Sequence, residues 1–307
     1  MQLENVNCDL CGSTRSKKIL LREDLNTNLE GEFILVQCLD CGLIYQNPRP
    51  SPSSFNEIYP AEYDQYAHKK LDSPNTSFLI NFGIKKRINR IKKYKKGGNL
   101  CDIGCATGDF LDGLRKDTGW KLFGVEPSAK AFEYLQGQGF NLFNGFFTSL
   151  SFPNVKFDVI TMWNVIEHLQ SPFLTLQEVK KSLTPDGLVV FTTPNFDAFD
   201  RKIFGRFWIG FELPRHFYVF SNKTIELLLQ KAGFELIERS CLYGAHALFM
   251  SSLLFKLRSQ KIISPFWKKF LFSAPVKLLF APYFLLTNIL QKSTPITIVA
   301  RPKANHD

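Results

Sequence analysis

Leu100-Cys101-Asp102-Ile103-Gly104-Cys105-Ala106-Thr107-Gly108-Asp109-Phe110-Leu111 holds a short apolar run, a glycine-bearing loop and the start of a helix. The run NLCDI reads as a strand with Asp102 near its carboxyl end. Gly104 lets the backbone pass close to a ligand, and Gly108 lets the helix start pack near the strand. Phe110, Leu111 and Leu114 give the helix one apolar side. Working outward, the same alternation continues. KLFGVE, KAFEYLQ, FDVITMW, FLTLQEVKKSL, GLVVFTTPN, TIELLLQKAGF and FELIERS follow, and ITIVA (Ile296 to Ala300) reads as a last strand. Ser221 and Gly233 are the expected N-cap and C′ residues of the TIELLLQKAGF helix. Short apolar strands alternating with helices predict an α/β fold, a mainly parallel sheet covered on both faces. Its ligand crevice lies outside the carboxyl ends of the strands.

A second element lies 22 residues beyond Gly104, where Val125-Glu126-Pro127 ends the next strand. An acidic side chain there can accept hydrogen bonds from both hydroxyls of a ribose. A glycine loop plus an acid also describes a dinucleotide site, but the loop is G-C-A-T-G rather than G-x-G-x-x-G. Asp102 in front of it suits an ammonium group instead of a pyrophosphate. D-I-G-C-A-T-G-D-F-L resembles motif I of class I S-adenosylmethionine-dependent methyltransferases, which usually carry Gly where this chain has Ala106. That resemblance implies a Rossmann-like, seven-stranded class I methyltransferase sheet. It also implies that Asp102, Gly104, Ala106 and Gly108 surround the amino-acid end of S-adenosylmethionine and that Glu126, with Pro127 beside it, holds the ribose. Asn144, followed by Gly145, falls near the adenine, and Trp163 and Asn164 fall at the cofactor.

Asn164-Val165-Ile166-Glu167-His168-Leu169 follows FDVITMW and resembles the E-H-[LV] segment of small-molecule methyltransferases, including ubiquinone-pathway O-methyltransferases. Leu183-Thr184-Pro185-Asp186-Gly187 and Thr193-Pro194-Asn195 match the same family. His168 has the side chain for a general base, with Glu167 beside it. The alternative is that both brace the following helix. His216, in Pro214-Arg215-His216-Phe217, is a second candidate, or a structural loop histidine. Some relatives carry an additional Glu three residues before Glu167 and use it for a divalent metal. This chain has Asn164 there, so no catalytic metal is expected. Tyr59, Tyr63 and Tyr66 share a helical face and suit either a lid or plain packing.

Two C-x-x-C pairs, Cys8/Cys11 and Cys38/Cys41, each run into Gly, at Gly12 and Gly42. Such knuckles present four thiolates to one tetrahedral Zn²⁺ and leave no open position, so a small structural zinc ribbon is expected. The N-terminus has no basic start followed by an apolar run, and paired cysteines of this kind suit a reducing compartment, so a cytoplasmic protein is expected. The expected organisation is a ribbon over 1–50, connecting helices or a lid over 51–98, the methyltransferase domain over 99–245 plus 294–303, and a Phe-rich basic insertion over 246–293.

Net charge is +10, and between Glu238 and Asp307 the chain carries ten Lys or Arg and no Asp or Glu. Phe249, Phe255, Phe266, Trp267, Phe270, Phe272, Phe280 and Phe284 are interleaved with them. The uncharged runs are too short for a spanning helix. They fit either an interfacial segment on an anionic membrane or a helical cap. A second basic run, Lys85 to Lys96, aligns Ile84, Ile88 and Ile91 on one face, for membrane or for solvated packing. Zinc ribbon plus methyltransferase domain also resembles sugar C-methyltransferases and enzymes of cell-surface polysaccharide assembly. Methyl transfer to a small-molecule or lipid-linked glycan or quinone-like acceptor is therefore expected, peripherally at the inner membrane face. RNA base methylation, with ribbon and basic segments binding nucleic acid, is the alternative. A cofactor-free binding module is a third reading, disfavoured by Asp102 and Glu126.

Overall fold

The computed structural model describes residues 1–59, 74–241, 245–260 and 270–304. Tyr63 and Tyr66 of the tyrosine face, and Lys261, Phe266, Trp267, Lys268 and Lys269 of the basic tail, lie outside the described residues. The chain forms two compact units. The first is Met1–Ile58, Thr193–Leu227 and Arg239–Thr297, and the second is Tyr59–Thr192, Leu228–Glu238 and Ile298–Asp307.

The chain opens with β1 (Leu3–Glu4), β2 (Ser16–Glu23), β3 (Glu32–Cys38), β4 (Ile44–Gln46), β5 (Arg49–Pro50) and the turn α1 (Phe55–Ile58). Then come α2 (Pro74–Lys92), β6 (Gly98–Ile103), α3 (Asp109–Leu114), β7 (Trp120–Glu126), α4 (Ala129–Leu135) and β8 (Asn141–Asn144). Next are β9 (Phe157–Trp163), α5 (Pro172–Ser182), β10 (Leu183–Thr193), α6 (Phe199–Phe204), β11 (Tyr218–Val219), α7 (Asn222–Lys231) and β12 (Phe234–Ser240). The tail holds α8 (Ala245–Ser259), α9 (Ala274–Leu279), α10 (Ala281–Ile289) and β13 (Ile296–Pro302).

A seven-stranded sheet runs in the order β12-β13-β10-β9-β6-β7-β8. The β6/β7, β7/β8, β6/β9 and β9/β10 pairs are parallel. Parallel strands are covered on both faces and read as continuous apolar runs. FDVITMW and the second half of β10 are buried almost throughout, as that rule requires. The chain leaves β6 toward β7 and β8 on one side and returns as β9 on the other. The carboxyl ends of β6 and β9 therefore flank the point where the winding reverses, which is where such sheets bind ligands.

Local chemistry sets the element ends. Ser128 and Ser171 accept backbone N–H bonds as N-caps of α4 and α5, and Pro172 opens α5 where its missing N–H costs nothing. Ser221 Oγ accepts the N–H of Thr224, so the expected cap of α7 forms. Gly233 adopts φ +79° behind it. The basic helix α2 uses its isoleucine face internally. Ile84 and Ile91 are buried, and a Cβ on Gly113 of α3 would lie 2.5 Å from Ile84 Cγ2. Charges at its C-terminal end are locally paired, Arg90 and the following Lys93 with Glu238 and Lys92 with Asp117.

In the first unit, β2, β3, β4 and β11 form an antiparallel sheet in the order β11-β4-β3-β2. Tyr218 pairs with Tyr45 and Val219 with Ile44. The unit's core joins Phe33, Leu35 and Ile44 of that sheet to Trp208, Phe211, Phe249 and Leu254. Much of the phenylalanine is spent here. Phe249 meets Phe204 at 4.8 Å between ring centroids and also contacts Phe280, Tyr283 and Phe284. Edge-to-face contacts of this kind add to simple burial.

Candidate active site and cysteine cluster

Asp102 is buried one residue before the end of β6, with Gly124 of β7 and Thr161 of β9 as its strand partners. Thr161 Oγ1 donates to Asp102 Oδ1 at 2.6 Å. Burial pushes the Asp102 carboxyl up to about 7, against the pull of the Thr161 hydroxyl and the Arg87 guanidinium. A carboxylate desolvated to this degree gains most from a cation placed beside it.

The loop after Ile103 folds through left-handed conformations, at φ +70° for Gly104, +47° for Ala106 and +79° for Gly108. At Gly104 an added Cβ would lie 2.6 Å from Val165 Cγ2, so this glycine is needed for space as well as for conformation. Glu126, at the end of β7, grips the loop. Its Oε2 accepts the Ala106 N–H and its Oε1 the Ser128 N–H, each at 2.8 Å. Burial nevertheless raises this carboxyl to about 7. Asn144 lies opposite Glu126 in the β7/β8 register and donates its side-chain N–H to the Glu126 carbonyl at 2.8 Å. Asp102, Gly104, Ala106, Gly108 and Glu126 are thus brought together at the carboxyl ends of adjacent strands.

Trp163 ends β9 and packs edge-on to Phe110 at 5.2 Å. The Arg87 guanidinium stands 5.1 Å from the Trp163 ring centroid. Arg87 thus lies beside Trp163 and acts on Asp102, a placement that its sequence context, a run of lysines and arginines that reads as a solvated face, does not signal. Asn164 follows at φ +57° and donates its N–H to the Thr192 carbonyl. That turn aims Val165 at Gly104 and leads into a 3₁₀ turn, Ile166–His168. Glu167 on it is buried. His168 Nδ1 lies 2.8 Å from the Tyr59 hydroxyl. Tyr59, read from the sequence as part of a lid, is therefore a direct partner of the candidate base.

His216 belongs to the first unit. Its Nδ1–H donates to the Gly210 carbonyl at 2.9 Å, and Nε2 lies 3.8 Å from Glu212 Oε2. Burial holds its pKa below the usual histidine value, against the opposing pull of Glu212.

The four N-terminal cysteines converge. Their sulfurs all lie within 4.8 Å of one another, with Cys8 and Cys41 at 3.4 Å and Cys11 and Cys38 at 3.5 Å. A tetrahedron of Zn–S bonds near ~2.3 Å has edges of ~3.8 Å, so the donor set fits that ion. In each knuckle the glycine N–H bonds back to the first cysteine's carbonyl, Gly12 to Cys8 and Gly42 to Cys38, at φ +74° and +82°. Burial raises the Cys8 and Cys41 thiols. At Cys38, backbone N–H groups outweigh burial and lower the thiol to about 7. The cluster is consistent with a small zinc-binding motif.

The seven-stranded mixed sheet, with its acid-flanked glycine loop at the winding reversal, is the class I S-adenosylmethionine-dependent methyltransferase fold. The chain belongs to the methyltransferase-domain family, whose model matches residues 79–239, just over half of its length. A tRNA U34 carboxymethyltransferase of Campylobacter lari is 35% identical over 121 residues, covering 35% of this chain and 40% of that one. A ubiquinone biosynthesis O-methyltransferase of Cereibacter sphaeroides is 26% identical over 156 residues, covering 47% and 63%. The corresponding Actinobacillus pleuropneumoniae protein is 29% identical over 194 residues, covering 56% and 82%. The first two are matched over less than two thirds of their own length.

Proposed function

We propose that this chain transfers a methyl group from S-adenosylmethionine to a small-molecule or lipid-linked acceptor, a sugar or polysaccharide precursor or a quinone-like ring. The observation that carries the reading is the pair of buried carboxyls, Asp102 and Glu126, on adjacent strand ends around a loop that admits no side chain at Gly104. Asp102 takes the ammonium of the cofactor, and Arg87, whose charge already acts on Asp102, is the cation for the cofactor's carboxylate. Glu126 keeps its two backbone bonds and accepts the ribose hydroxyls with its remaining lone pairs. Pro127 and Asn144 border the adenine side, and Trp163 and Asn164 close the site beside the loop. When bound, the cofactor supplies a sulfonium-activated methyl group, so the protein needs to align the acceptor and remove one proton.

His168 is the residue for that proton. If its Nδ1–H donates to the Tyr59 hydroxyl oxygen, Nε2 is left as the acceptor. Glu167 and His216 are the accompanying candidates, bracing the turn and lying in the other unit. The four cysteines hold a structural Zn²⁺. A lipid-linked acceptor brings the chain to the cytoplasmic face of a membrane.

Resemblance to a tRNA-modifying relative supports a second reading, an RNA base as acceptor. Incubation with methyl-labelled cofactor, membrane lipid extract and total RNA separates the two. Label in the solvent-extractable fraction, lost in His168→Ala, is expected. Label only in RNA, with salt-sensitive RNA binding, selects the second reading and overturns the first.

A further inference from the structure

Helices α9 and α10 are apolar on two opposite sides. Inward, Val276, Phe280, Tyr283 and Phe284 pack on the core around Phe249. Outward, Leu278 is 77% exposed, Leu279 75%, Leu285 63%, Leu286 54%, Ile289 69% and Leu290 49%. The last four sit at i, i+1, i+4 and i+5, one face of α10, and the first two lie on the adjoining helix α9. A surface helix ordinarily turns polar residues outward, and a contiguous apolar patch marks a place where something binds.

The charge around the patch selects the occupant. Lys277 and Lys292 bracket it in sequence, and residues 239–306 contain ten Lys or Arg without one Asp or Glu. Among the described residues of this stretch, Arg239 and Arg301 have acidic partners, Glu226 and Glu235, supplied from outside it. An isologous contact with a second copy would bring Lys277 and Lys292 of both copies to one seam, a like-charge arrangement that opposes association. An anionic bilayer instead offers acyl chains to the leucines and phosphates to the lysines. No helix among the described residues is long and apolar enough to cross a membrane, so the contact lies in the interface.

We propose that the outward face of α9 and α10 is a membrane-docking surface. It seats six aliphatic side chains at the headgroup boundary of an anionic bilayer, with Lys277 and Lys292 on the lipid phosphates. This surface lies in the first unit and does not depend on the methyl-transfer reading.

The test is co-flotation of the whole chain with vesicles of phosphatidylcholine containing about 30% phosphatidylglycerol, and with pure phosphatidylcholine. Wild type is expected to float with the anionic vesicles and to be released by high salt. Leu278→Gln/Leu285→Gln/Ile289→Gln is expected to lose more than about tenfold in partitioning, and Lys277→Glu/Lys292→Glu to lose the anionic preference. Both variants should keep the wild-type melting temperature, since all five side chains lie outside the core. Wild type that stays out of both vesicle populations overturns the proposal. So does a dimer in sedimentation that the triple variant dissociates, which would make a second copy the occupant. Equal binding to neutral vesicles overturns the role of the lysines.

Discussion

Ala106 adopts φ +47° in the tightest part of the glycine loop, where its Cβ is strained by about 1 kcal/mol. Ala106→Gly should relieve that strain and raise stability by up to about 1 kcal/mol, read by denaturant unfolding. Gly104→Ala should do the opposite, costing about 1–3 kcal/mol, because its Cβ meets Val165. Asp102 carries the sharper test. Burial raises its carboxyl to about 7 despite the Arg87 guanidinium, and an ammonium ligand binds the ionised form. Affinity for S-adenosylhomocysteine should therefore rise with pH from 6 to 8, by up to about tenfold per unit below the pKa. Asp102→Asn should reduce that dependence to what Glu126 contributes, and a flat wild-type profile would contradict the assignment. Asp102, Gly104, Gly108 and Glu126 were legible because each residue type answers a local demand of a loop at a strand end. Arg87 was not, since only the tertiary fold distinguishes it from Lys85 and Lys86 beside it.

At the scale of elements, the two cysteine knuckles were legible from spacing alone, while the sheet around them was only partly so. β11 joins that sheet with two residues, Tyr218 and Val219, too few to carry any periodicity. Arg215 shows what holds this unit. It is fully buried, bonded to Asp24 Oδ1 at 2.5 Å and to Glu212 Oε1 at 3.0 Å. Burial raises Asp24, but Arg215 and Thr27 outweigh it and bring the carboxyl below its usual value. Arg215→Leu leaves Asp24 buried without its cation and should cost about 3–5 kcal/mol in chemical denaturation. A loss within experimental error would mean that water reaches Asp24. The knuckles predict one equivalent of zinc per chain by metal analysis. Cys11→Ser should weaken zinc retention against a chelator and lower the melting temperature. Protein that purifies without metal and melts unchanged on chelation would remove zinc from the account.

At the scale of the whole molecule, desolvation raises the buried carboxyls of Asp102 and Glu126 to about 7 and that of Asp200 to about 6. Between roughly pH 4 and 7 the folded chain holds protons that the unfolded chain has released, so these groups make the ligand-free protein less stable as pH rises through that window. Melting temperature followed against pH should show that decline, and a cofactor analogue should reverse it by favouring ionised Asp102. The alternation of strands and helices announced the α/β architecture because it is written in hydrophobic period. Where the 30 Phe would go was not, since aromatic content alone does not separate a core around Phe249 from a surface. The measurement that bears most directly on the account is calorimetric titration of the zinc-loaded chain and its Glu126→Ala variant with S-adenosylhomocysteine. Micromolar binding by wild type, lost in the variant, is the predicted result. Absence of binding by folded wild type, or equal binding by both, would contradict it.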